Sequence, residues 1–400
     1  MKRQLIKGAA ALSSAVCLSQ ALAVEVGDFA FHGYMRAGTG INLEGGRQVC
    51  FQAPGADTKW RLGNECDYVI EPSFIGRVAS VENGGEWFVH VMPSVYRSWD
   101  DDDELVSTFG QAFVYGENIP QLANGSVWAG RRFYDRVQLG INDQFLENHD
   151  GDGGGIENVD LGFAAFSYAF LMRPQQNAND AAYQHALRLT DIPSVLGSHF
   201  NVYAGYHNRT ASSDQSYAPP SEPVGVDSLK RIGIYHITPD TLGGSTFLGF
   251  RYEEGNNDER GELTQWRVVL QQEGFVDAFS TGWSLIAQYR SKEENNLEEE
   301  WYSAGIRTDT HLSGPFRFLL EVGHDVVKPE NQRRREMSKI TLATAVSGGP
   351  DPWSRPTVRL FYTYAHWNSA TRDNLSGALE QVYGNSTNGS TVGIQGEVWW

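Results

Sequence analysis

Apolar and polar positions alternate with a period of two at both ends of this chain. In the last ten residues Val392, Ile394, Gly396, Val398 and Trp400 fall on one face, and Thr391, Gly393, Gln395, Glu397 and Trp399 on the other. Successive side chains of a strand point to opposite sides, so the segment is a strand with one greasy and one wet face. A strand ending a soluble sandwich would alternate in the same way. In a membrane barrel the greasy face would meet lipid and the wet face a water-filled lumen, with Trp400 in an interfacial girdle and Trp399 turned inward. Near the N-terminus Phe29, Phe31, Gly33 and Met35 share one face, which puts Ala30, His32, Tyr34 and Arg36 on the other.

The pattern predicts further strands from 67 onwards and at 87–95, 127–137, 156–170, 199–206, 231–237, 246–252, 266–271, 283–289, 300–308, 315–323, 339–345, 356–367 and 390–400. Tight turns, such as the one at 82–85, alternate with long polar loops, as expected of an outer-membrane barrel with short periplasmic turns and long external loops. Residues 41 to about 64 read as a Gly-rich polar loop, and a long polar segment follows the acidic stretch 99–104. Over 353–367, Val358, Leu360, Tyr362 and Tyr364 share the apolar face. Trp353, Arg355, Thr357, Arg359 and Thr363 then face inward, provided alternation continues through Pro356. Over 127–138 the even positions Trp128, Gly130, Arg132, Tyr134, Arg136 and Gln138 carry most of the polar atoms.

The first residues supply an address. Met1-Lys2-Arg3 with Lys7, an apolar stretch from Gly8 and the small-x-small site Ala21-Leu22-Ala23 form a secretory signal peptide, with residues 24–400 as one mature barrel domain. Val16 before Cys17 is not the small residue that lipid anchoring requires. No later run of 18 apolar residues exists, so a helical span is excluded while a barrel is not.

Composition agrees, with 43 Gly, 11 Trp, 17 Tyr and 20 Phe in a chain whose mean hydropathy is −0.40. A net charge of −17 argues against nucleic acid as a partner. The acidic run Asp100 to Glu104 reads as a solvated loop. The two mature cysteines, Cys50 and Cys66, should pair in an oxidising compartment, closing a loop worth ~3 kcal/mol on the chain-entropy model. They make no zinc pattern. Asp150-Gly151-Asp152-Gly153 begins like a calcium loop, but Gly154 and Leu161 stand where ligands should be, and we read it as a Gly-rich loop. Hydrolase, metalloprotease and phosphate-loop signatures are missing, and neither a metal nor a cofactor is expected.

A lumen lined by rings and flanked by Arg, Asp and Glu suits sugars, whose apolar C–H faces lie on flat rings and whose hydroxyls need donors and acceptors. Tyr34, Trp353 and Trp399 could form such a track, although each could equally be a girdle or packing residue. The chain resembles the maltoporin family of outer-membrane sugar porins. The segments that carry the resemblance are F-H-G-Y-M-R at Phe31–Arg36, C-F-Q-x-x-G-A-x-x-K-W-R-L-G-N-E-C at Cys50–Cys66 and W-A-G-R-R-F-Y-D-R at Trp128–Arg136. To these it adds G-I-E-N-x-D-x-G from Gly155, K-I-T-L-A from Lys339, W-S-R-P from Trp353 and the terminal W-W. The match is loose between about 171 and 300.

The resemblance implies an 18-stranded antiparallel barrel, all-β, forming homotrimers in the outer-membrane lipid, with an inward-folded constriction loop in each channel. It implies an aromatic sugar track through Tyr34, Trp353 and Trp399, with Trp99 reaching into a neighbouring subunit. It further implies a polar track through Arg36, Arg61, Glu71, Arg136 and Asp143, and a Cys50–Cys66 disulfide. Departures accompany the match. A track tyrosine aligns with Val69, leaving Tyr68 on the opposite face, and a constriction arginine aligns with Gly110. Phe145 takes the place of a tyrosine, Asn148 of an aspartate and Gly140 of a histidine, while a phenylalanine near Gly244 and Ser245 is lost. The expected function is facilitated diffusion of sugars, with altered preference. The competing readings are a non-selective porin, an outer-membrane glycan hydrolase, or a surface receptor, for instance for phages.

Overall fold

The computed structural model describes residues 28–99, 105–173, 182–209, 228–257 and 261–400. The signal segment with its cleavage site at Ala23 and the acidic run 100–104 lie outside the described residues.

Among the described residues eighteen antiparallel strands form one sheet that closes on itself. Each strand pairs with its chain neighbours, and Phe29–Asn42 pairs with the last strand, Asn388–Trp399, with Tyr34 opposite Trp399 and Arg36 opposite Glu397. Closure satisfies every ladder and leaves no open edge, the condition for a sheet to cross lipid. Burial alternates along the strands as the period-two pattern predicts. In Thr357–Trp367 the side chains of Val358, Leu360 and Tyr362 are exposed outward, while Thr357, Arg359, Thr363 and Trp367 are buried inside. Phe31, Phe318, Ile306 and Leu270 extend the apolar outer band.

The lumen is narrowed by two loops that fold inward. The segment 43–66 enters from the long-loop end, its base closed by the Cys50–Cys66 disulfide. Its Trp60 crosses to the far wall, where the indole Nε1 donates to Asp325 Oδ2 at 3.0 Å. Room for that ring exists because Gly305 and Gly323 carry no Cβ; one built on Gly305 would lie 2.6 Å from the indole, and one on Gly323 closer still. Leu62 N donates to Glu321 Oε1 at 2.9 Å, and Lys339 Nζ donates to Leu62 O at 2.8 Å. These bonds satisfy loop backbone that would otherwise be buried unpaired. The second segment, 133–150, contains a short hairpin, Val137–Leu139 with Gln144–Glu147. Its Leu139, Ile141 and Leu146 pack with Trp60, Tyr203, Tyr235, Val269 and Ile286 in one interior cluster. The two loops meet where Arg61 N donates to Ile141 O at 3.1 Å.

The strand pattern read from sequence needs correction in four places. The strand predicted over 127–137 ends at Arg132, and the chain leaves the wall near Asp135, whose φ of 50° is left-handed. The stretch 156–170 is two strands, Gly151–Asp160 and Ala165–Arg173. The supposed Gly-rich loop at 150–153 therefore starts a strand, in which Asp152 pairs with Arg131 at 2.7 Å. The strands Leu105–Ile119 and Ala182–Pro193 lie in segments without clean alternation, each broken by a register shift against a neighbour. Finally, the strand predicted from 356 begins at Thr357, and 350–356 is a turn.

Candidate functional site in the channel lumen

The seam between the first and last strands brings the predicted residues together. Tyr34 donates its hydroxyl hydrogen to Glu397 Oε1 at 3.0 Å and accepts from Arg36 Nη1 at 3.0 Å and Arg61 Nη2 at 3.3 Å. Arg36 also pairs with Glu65 at 2.8 Å and Asp67 at 2.7 Å, and Arg61 pairs with Glu65 at 2.6 Å. Glu397 in turn holds Arg359 at 2.5 Å and Arg355 at 3.1 Å. Strand parity alone places Arg36, Glu397 and Arg359 inward, whereas Arg61 and Glu65 arrive on the inward loop. Of these groups Glu65, Asp67, Arg355, Arg359 and Glu397 extend the site beyond the residues the resemblance names. Glu65 is buried, which pushes its carboxyl up, but Arg36 and Arg61 outweigh this and hold it below the ordinary range. Burial pulls Arg355 down to about 10, against the opposing pull of Glu397.

Next to this network stands the constriction. Arg136 donates to Asp150 and lies over the Phe133 ring, 3.3 Å from its centroid, with the Phe145 ring at 5.2 Å. Asp143 accepts from Gln138 and lies 3.8 Å from Arg61. Glu71 accepts from Ser94 at 3.1 Å. Asn148 is buried and accepts from Asp150 N at 3.2 Å, so it supports the loop instead of facing the channel. At Gly110 a Cβ would meet Met92 at 2.7 Å and Phe133 at 3.0 Å; an arginine there would have no room. Around Gly140 a Cβ would meet nothing within 4 Å. Glu147 anchors the loop to the wall, accepting from the Tyr235 hydroxyl at 2.6 Å. Burial pushes Glu147 up, but Arg251 and the hydrogen bond from His149 lower it to about 2.

The third group lies at the short-turn mouth. Trp353 is 60 % exposed there, and the Arg355 guanidinium covers Trp399 at 3.7 Å from the ring centroid. A cavity of about 540 Å³ opens beside Trp353, Glu273, Arg307 and Gly244.

Two positions fall outside these groups. Trp99 is half-buried under Arg47 at 4.8 Å, and its backbone N–H donates to Cys66 O at 3.0 Å. Val69 faces inward between Arg36 and Tyr96, each directly opposite it. Tyr96 is thus a lumen-facing ring that the sequence pattern missed, because the strand was expected to end at 95 and instead runs to Ser98.

A family profile described as LamB porin matches residues 29–400. Among solved structures, OccD3 (OpdP) of Pseudomonas aeruginosa superposes with a TM-score of 0.51 at 9% identity, covering 95% of this chain and 92% of its own. OccK3 (OpdO) of Pseudomonas aeruginosa does so with a TM-score of 0.52 at 10% identity, covering 94% and 97%. At such identities these two show the shared barrel fold alone.

Proposed function

Because this chain belongs to the LamB porin family, and is therefore a channel of the bacterial outer membrane rather than an enzyme, we propose that it is sugar-selective. In this reading, sugars diffuse passively along Tyr34, Trp399 and Trp353, with Arg36, Arg61, Glu71, Arg136 and Asp143 exchanging hydrogen bonds with their hydroxyls. One observation carries the reading: Tyr34 and Arg36 of the first strand share one hydrogen-bonded network in the lumen with Arg61 of the inward loop, and Trp399 of the last strand lies opposite Tyr34. Such a surface offers ring faces beside fixed donors and acceptors, and weak sites in series let a solute enter and still leave. Phe145 contributes a ring without a hydroxyl, and Asn148 acts from behind the loop.

The departures at Val69, Gly110 and Gly140 remove long side chains, so we infer a preference other than that of maltodextrin channels. We further propose a homotrimer. The test is single-channel current in a planar bilayer, titrated with mono-, di- and oligosaccharides. Saturable block supports the sugar reading, and its ranking names the substrate class. Conductance that no sugar blocks would instead mark a general diffusion porin.

A further inference from the structure

Arg251, Arg267 and Arg290 lie side by side on the inner wall. Arg251 stands directly opposite Arg267 across one strand pair, and Arg267 opposite Arg290 across the next. Directly opposed residues lie ~4.5–5.5 Å apart at Cβ, and like charges so placed repel. Each therefore needs an anion. Arg251 takes Glu253 at 2.7 Å and Arg290 takes Glu299 at 2.5 Å, both from the wall itself. Arg267 differs: among the described residues the carboxylate it pairs with is Asp57, from the tip of the inward loop 43–66. The other oxygen of Asp57 accepts from Arg290 Nη1 at 2.5 Å, so one loop carboxylate bridges the two arginines.

The cradle under Asp57 is fixed from behind. Both guanidiniums lie on the buried Trp301 ring, 5.4 Å and 5.8 Å from its centroid, and the Trp301 indole is held by donating to Asp325 Oδ1 at 3.0 Å. Arg290 also donates to Gly55 O at 3.3 Å and Arg335 to Pro54 O at 3.3 Å, so the loop tip brings two carbonyls beside its carboxylate. Gly55 permits the close approach: its φ is 88°, and a Cβ there would lie 2.8 Å from Val327 Cγ1. The side chains of Arg267 and Arg290 are 4 % exposed and that of Asp57 27 %, so solvent reaches the carboxylate and not the cations beneath it. Burial pushes the Asp57 carboxyl up, but Arg267 and Arg290 outweigh this and hold it below the ordinary range, which keeps it charged.

Guanidiniums held in a fixed arrangement match the oxygens of a carboxylate, sulfate or phosphate. We propose that Arg267 and Arg290 form an oxyanion-binding site of the channel and that Asp57 is its resident ligand, standing where the oxyanion group of an entering solute would bind. While Asp57 fills the site, anions gain nothing from the arginine row. With that charge removed the row attracts them, as rings of arginine and lysine do in anion pores. The site requires only a water-filled channel and is independent of the sugar reading.

The test uses single channels of the purified protein in planar bilayers, with inorganic sulfate as the probe and the reversal potential in a potassium chloride gradient as a second readout. Asp57→Asn keeps the shape of the side chain and removes its charge, and Asp57→Asn combined with Arg267→Gln removes the site as well. The outward-facing Glu300→Gln serves as control, and heat-modifiable migration on gels checks that each barrel is closed. Asp57→Ser takes the place of Asp57→Asn if the latter does not close. In Asp57→Asn sulfate should block about tenfold more tightly than in wild type, and the reversal potential should shift towards that of chloride. The double variant should return both to wild-type values, and the control should change neither. Sulfate block and reversal potential that stay at wild-type values without the Asp57 charge would overturn the proposal. So would a gain that survives Arg267→Gln, since it would then come from a loosened loop and not from the arginines.

Discussion

The Arg355 guanidinium lies over the Trp399 ring, 3.7 Å from its centroid, while donating to Glu397 Oε2 at 3.1 Å. A ring face on the proposed sugar path is thus already covered by a cation that the neighbouring carboxylate holds in place. A sugar on that path would compete with the guanidinium for it.

That competition separates two substitutions. Trp399→Ala should weaken sugar block two- to tenfold, the equivalent of a ring contact of about 0.5–1.5 kcal/mol. Arg355→Ala should tighten block, because it uncovers the ring while Arg359 still neutralises Glu397. Titrated single-channel block measures both. If Arg355→Ala weakens block as Trp399→Ala does, the arginine is a sugar donor and not a cover.

The inward loop 43–66 should set the bore. Gly323→Val puts branched carbon where the Trp60 ring lies, an overpacking that costs ~1–3 kcal/mol. We expect a lower melting temperature and a larger single-channel conductance as the loop is pushed off the wall. Unchanged conductance in a destabilised variant would show that the loop braces the barrel without limiting flow.

Glu147 makes the second loop acid-resistant. Its folded value of about 2 lies below the ordinary 4.5 of a glutamate. The stabilisation from its charged form is therefore fully present above about pH 4.5 and is lost as pH falls through about 2. Conductance and noise set by the 133–150 loop should stay constant from pH 7 to about 4.5 and change on further acidification. Glu147→Gln, which leaves the Tyr235 hydroxyl a weaker acceptor, should give noisy openings already at neutral pH. Quiet openings in that variant would place the anchor elsewhere in the loop.

The wall was legible in the sequence because a closed sheet forces strict alternation: lipid outside and water inside assign Tyr34, Arg36, Arg359 and Trp399 their faces one residue at a time. Legibility ended where that constraint ends. Tyr96 lay one residue past the expected strand end at 95, and the glycine-broken stretch 105–119, with a bulge at Gly110, carries too weak a pattern to announce a strand. Inward loops have no period at all. Nothing in the segment 43–66 shows that Trp60 will reach Asp325, 265 positions away; the resemblance to maltoporins, not the residues' spacing, supplied Arg61 and Asp143.

Val69 offers a gain-of-function test. It faces the lumen between Arg36 and Tyr96, so a tyrosine there would meet the Tyr96 ring across the strand pair, where directly opposed residues lie ~4.5–5.5 Å apart at Cβ. Tyr68, its neighbour, takes the opposite face and looks outward. Val69→Tyr should lower open-channel conductance and tighten block by linear oligosaccharides more than by monosaccharides, because only a chain long enough to span adjacent rings gains the added contact. The swap of the neighbour, Tyr68→Val, should leave both quantities unchanged. Equal tightening for glucose and maltohexaose would mean that the new ring merely narrows the bore, and that the rings around Tyr34 do not act as a continuous path.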